Sequence, residues 1–101
     1  MTGRRVSFTF TARDQIHHEH RWWLEHRDQR PLFERELGAA LDLLALLPGI
    51  GTPYELSPLA GVRRLYLDKL ASHLYYTHDD EQVIVWSLWG ARRGRGPSFS
   101  S

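Results

Sequence analysis

At 101 residues the chain is the size of one small domain, and 42% hydrophobic with 25% charged residues is the composition of a folded protein. The absence of cysteine excludes disulfides, thiolate nucleophiles and cysteine-ligated metals, and suits a reducing cytoplasm. The net charge of +1 does not advertise nucleic-acid binding, and no apolar run approaches the roughly 18–20 residues a membrane span needs.

The chain opens on "RRVSFTF". Val6, Phe8 and Phe10 alternate with Ser7 and Thr9, the pattern of a half-buried strand, and the segment has no apolar core of the kind a secretory signal carries. Thr11 followed by Asp14 fits a capping box, so a first helix is expected from there to about Gln29–Arg30, with Ile16, His20, Trp23 and Leu24 inward. Pro31 suits the start of a second helix, along which Phe33, Leu37, Ala40, Leu41, Leu44 and Leu47 form an apolar stripe. So short a joint between the helices predicts an antiparallel hairpin. "PGIGTPYELSPLAG" (48–61), with three prolines and three glycines, reads as loop.

Three strand-like runs follow: "VRRLYL" (62–67), "SHLYYTH" (72–78) and "VIVWSLW" (83–89). Short connections make them an antiparallel meander, and the last run, nearly all β-branched or aromatic, reads as a central strand covered on both faces. The predicted fold is α+β in the order β-α-α-β-β-β, a helical hairpin on a four-stranded, mostly antiparallel sheet. Residues 1–101 form a single domain, with 98–101 a loose tail.

Motifs for small-molecule chemistry fail. His18-Glu19 begins H-E-x-x-H, but Trp22 stands where the second histidine belongs; His17 and His20, one turn apart, read as a solvated helix face. Ser57, Ser72 and Ser87 lack a nucleophile-elbow setting, and "GARRGRG" follows a strand without opening a helix. No metal and no cofactor is expected.

Charge is unevenly placed. Residues 32–61 hold one base, Arg35, against Glu34, Glu36, Asp42 and Glu55. From Val62 onward come Arg63, Arg64, Lys69, Arg92, Arg93 and Arg95, while most of that stretch's acids cluster at Asp79, Asp80 and Glu81. A basic edge is expected, and aromatics on the same strands (Tyr66, Tyr75, Tyr76, Trp86, Trp89) add flat rings to it. Arg63 and Arg64 must point to opposite faces of their strand.

From Val6 to Pro97 the chain resembles the RelE/ParE superfamily of toxins from bacterial type II toxin–antitoxin modules. The resemblance is carried by "SFTFTARDQ" leading into a helix with "WW", by "FERELGAALDLLALLPGIGTPYE", by "GVRRLYL" and by "HLYYTHDDEQVIVWSLWGARRGRGP". It implies a cytoplasmic protein that forms a hetero-oligomer with a cognate antitoxin, and one of two activities. RelE-like members cut ribosome-bound mRNA; the positions that match are Arg63 or Arg64 and Arg92 or Arg93 for the phosphate, with Tyr76 or His78 as proton carrier. ParE-like members lack that set and block DNA gyrase. Gly90 stands where related chains have histidine, and no tyrosine or histidine follows His78. An arginine is a poor proton carrier at neutral pH. The ParE-like reading is therefore preferred, with Arg63, Arg64, Trp89, Arg92, Arg93 and Arg95 as the partner-binding set. A family member that only binds its antitoxin is the third alternative.

Overall fold

The computed structural model describes residues 3–26, 30–93 and 96–99. The helix joint at 27–29 and the candidate Arg95 lie outside them, as do residues 100 and 101 of the expected tail. The elements are β1 (Arg5–Phe8), α1 (Phe10–His26), α2 (Arg30–Leu46), β2 (Thr52–Pro53), β3 (Arg63–Leu67), β4 (Ser72–His78) and β5 (Gln82–Gly90). Single 3-10 turns occupy Pro48–Ile50 and Asp68–Leu70. The expected α+β order of hairpin and sheet is present, with one strand more than the sequence suggested.

That strand, β2, is a two-residue edge inside the stretch read as loop, where Thr52 and Pro53 pair with Arg64 and Arg63. A proline is tolerated at an edge because one side of the strand needs no donor. The sheet runs β1-β5-β4-β3-β2. β1 lies parallel to β5 and the other pairings are antiparallel. β4, not β5, is therefore the middle strand. β5 alternates buried Val83 and Val85 with half-buried Ile84 and Trp86, so one face is fully covered rather than both.

The helix α1 starts earlier than the capping box proposed. Thr9, not Thr11, caps it: the Ala12 amide donates to Thr9 Oγ1 at 3.1 Å. Phe10, expected on the buried face of the first strand, becomes the first helical residue and is 77% exposed. Leu24 also faces solvent; Trp23 is buried as expected, Ile16 packs against the core, and Ala12 joins them.

Phe33, Leu37, Ala40 and Leu44 of α2 recur at helical spacing and bury against Leu67, Leu74, Tyr76, Val83, Val85 and Leu88 of the sheet. Each phenylalanine or leucine so removed from water contributes about 1.5–3 kcal/mol. His20 Nε2 meets Glu34 Oε1 at 3.0 Å, tying the two helices together beside a stacked His20–Phe33 pair. The hairpin thus covers one face of the sheet.

Candidate functional site

On β3 and β4 the core-facing pair Leu65–Leu74 alternates with Arg64–Tyr75 and Tyr66–His73. Because strand side chains alternate, Arg64, Tyr66, His73 and Tyr75 stand on the face the helices leave open. Trp89 of β5, opposite His73, joins them. The open face is floored by rings. Tyr66 lies 4.9 Å from His73 and Tyr75 6.0 Å from it, and Tyr54, from the chain just after β2, meets Tyr75 edge-on at 4.8 Å.

Two guanidinium groups rest on these rings. Arg64 lies 5.4 Å from the Tyr54 centroid, and Arg93, just past β5, 4.3 Å from that of Trp89. Both border one shallow cavity of about 180 Å³, together with Tyr54, His73, Tyr75 and Trp89. Cation–π contact of this kind holds an arginine flat while leaving its N–H edge available. The ion pairs among the described residues are His20–Glu34, Arg35–Glu36 and Lys69–Glu36, so Arg64, Arg92 and Arg93 have no carboxylate partner there.

The remaining sequence candidates fall elsewhere. Arg63 is turned toward the loop ahead of β2, where one of its terminal nitrogens donates to the carbonyls of Gly51 at 2.6 Å and Gly49 at 3.3 Å. Tyr76 is fully buried; its hydroxyl donates to the Pro48 carbonyl at 2.6 Å and accepts the Gly51 amide at 2.9 Å. Burial pushes its phenol above the ordinary tyrosine value. These two residues clamp the loop to the sheet. His78 is exposed at the far end of β4, paired with Val83. Val83 and Trp89 are six positions apart on β5, about 20 Å at strand rise, so His78 stands at the opposite end of the sheet from Arg93. Arg92 is exposed and lines a larger groove of about 540 Å³ between α1 and the end of the sheet, with Trp22, Trp23 and Arg93.

The structure thus brings together Arg64, Trp89 and Arg93, places Arg92 beside them in the neighbouring groove, and sets Arg63, Tyr76 and His78 apart. It adds His73, which the sequence reading passed over. Burial, then the neighbouring Arg64, holds the His73 imidazole below its ordinary pKa of 6.5, toward the neutral form. The signal was present: in "SHLYYTH" His73 and Tyr75 share a face, and both can lie opposite the strand that carries Arg64.

Among the described residues no cluster of His, Asp and Glu could hold a metal ion, and no helix is long and apolar enough to cross a membrane.

No family model and no curated protein sequence matches the chain. Among solved structures it is similar to one titled "Chromosomal ParDE TA system from P. aeruginosa", with a TM-score of 0.69 over 86% of this chain and 95% of that one, at 11% identity. That likeness and the element order define the fold, which is α+β with a helical hairpin on a mixed five-stranded sheet and is shared with the ParDE structure. At 11% identity the likeness is one of fold.

Proposed function

We propose that the chain is the toxin of a bacterial type II toxin–antitoxin module, ParE-like in action, which inhibits growth by binding DNA gyrase and is neutralised in the cytoplasm by a cognate antitoxin. The observation that carries the reading is the open sheet face. It presents Arg64 and Arg93 on aromatic rings without carboxylate partners among the described residues. On this fold, such a face suits a macromolecule better than a small molecule, because the cavity is shallow and ringed by rigid anchors of the kind that dominate protein interfaces. A basic rim also speeds association with an acidic segment and selects for it.

One observation favours a second reading, a ribosome-dependent mRNA endoribonuclease. His73 borders the same cavity as Arg64 and Arg93, and an imidazole kept neutral could accept a 2′-hydroxyl proton while guanidinium groups stabilise the phosphorane. It stands where the sequence offered only Tyr76 and His78.

Expression from a tightly regulated promoter separates the readings. Growth arrest with loss of plasmid supercoiling and intact mRNA is the expected result. Codon-phased mRNA cuts, abolished by His73→Gln, would establish the nuclease instead. Absence of any growth defect would leave a protein that only binds its antitoxin.

A further inference from the structure

Beyond the last strand the chain returns to the open face. Pro97 is buried, and the Phe99 ring lies 6.0 Å from Tyr54 and 5.7 Å, edge-on, from Tyr75. The same Tyr54 ring carries Arg64. The chain's own segment therefore sits on the aromatic floor beside the two arginines, and it shows what this floor accepts: an aromatic ring presented from a proline-containing segment of irregular chain.

The fit is incomplete in one respect. The stretch "GPSFSS" from residue 96 onward contains no acidic side chain. While Phe99 fills the ring site, the residues of this stretch offer Arg64 and Arg93 no side-chain carboxylate.

We propose that the Tyr54–Tyr75 floor, with Arg64 and Arg93 at its border, is a docking site for an acidic peptide segment bearing an aromatic residue, and that Phe99 is its built-in competitor. The proposal rests on the toxin–antitoxin reading and deepens it, since the segment would belong to the neutralising partner. A partner that supplies both a ring and carboxylates satisfies groups that the tail leaves unsatisfied, and so it displaces the tail. The tail in turn taxes binding. A covalently tethered ring is present at a high effective concentration, and the affinity observed for a partner falls by the fraction of molecules in which the site is open. Net of the cost of ordering the tail, the contacts of Phe99 leave about one aromatic pair's worth of stabilisation, a closed-to-open ratio between about three and ten.

The test uses the full chain and a short synthetic peptide with one phenylalanine flanked by glutamates, titrated by calorimetry against the wild type and Phe99→Ala. The proposal expects Phe99→Ala to bind the peptide about three- to tenfold more tightly. It also expects weaker binding when the glutamates become glutamines, when the peptide phenylalanine becomes alanine, or when Arg64 becomes glutamine. Unchanged or weaker binding to Phe99→Ala overturns the competitor role. Failure of the peptide to bind either protein overturns the docking site, as does displacement of the peptide by an oligouridylate at equal or lower concentration. Because Phe99 could also support the fold, each protein's thermal midpoint is measured. Should Phe99→Ala unfold, Tyr54→Leu serves as the second variant, and it must lose affinity for the proposal to stand. Growth arrest on expression is scored separately, so a toxin that fails to take the peptide is distinguished from a chain that is no toxin.

Discussion

At the scale of single residues, His73 and Tyr76 show how neighbours on one strand acquire different work. They lie three positions apart on β4, one facing the open side and one the core. His73 is held below its ordinary pKa by burial first and Arg64 second. The unfolded chain, with its imidazole near 6.5, therefore binds more protons than the native state in the window just below that value. Native stability rises with pH across the window and is lost as pH falls from about 6.5 toward the depressed native value. Asp79, lowered by the Glu81 and Gln82 amides, titrates below 3.8 and does not contribute to this window. Urea midpoints taken at about pH 7.5 and about pH 5.5 should fall for the wild type, and fall less for His73→Gln. Equal drops would show that His73 is not the group responsible. Residue roles were the least legible part of the sequence. Alternation correctly sent Arg63 and Arg64 to opposite faces, but only the folded loop shows that Arg63 spends its donors on Gly49 and Gly51. Tyr76 and His78 were the expected proton carriers on β4, but only the register that sets His73 opposite Trp89 shows which residue of that strand shares a cavity with Arg64 and Arg93.

At the scale of elements, the loop between α2 and β3 is fastened to the sheet through one glycine. A Cβ at Gly51 would stand 2.5 Å from the Tyr76 hydroxyl and 2.8 Å from the Arg64 carbonyl oxygen. Neither can give way without breaking the clamp, since that hydroxyl also holds Pro48. Gly51→Ala should therefore cost roughly 1–3 kcal/mol in chemical denaturation, the range for stranding buried polar groups. Gly49→Ala, whose Cβ would meet nothing within 4 Å, should move stability by less than about 0.5 kcal/mol. Equal losses at the two positions would refute the clamp. α2 was legible from its 3.6-residue period, Phe33–Leu37–Ala40–Leu44, and the three long strands from strand-like runs, the last nearly all β-branched or aromatic, joined by short connections. β2 was not: two residues, one of them proline, carry no period and become a strand only because β3 offers an unpaired edge. The helix start was misread by two residues because Thr9 and Thr11 both suit a cap, and the choice falls to whichever follows the last paired strand residue. Thr9 directly follows Phe8, which pairs with Val85.

At the scale of the whole molecule, the two-layer arrangement decides what the protein can offer. The hairpin consumes one face of the sheet in the core. The other face keeps its rings and guanidinium groups, and the run "VIVWSLWGARRGRGP" links the two: its strand half builds the sheet, and Arg93 turns back onto Trp89 at the border of the open side. The order of elements and the basic edge could be read from the sequence; which arginines share a cavity depended on strand register and could not. The most direct measurement of the central claim is a supercoiling assay with purified gyrase. The wild-type chain should inhibit the enzyme. The double variant Arg64→Ala/Arg93→Ala should lose at least about tenfold in potency, as expected when two interface anchors are removed, while keeping the wild-type thermal midpoint. Inhibition undiminished in that variant, or no inhibition by the wild type, would contradict the account.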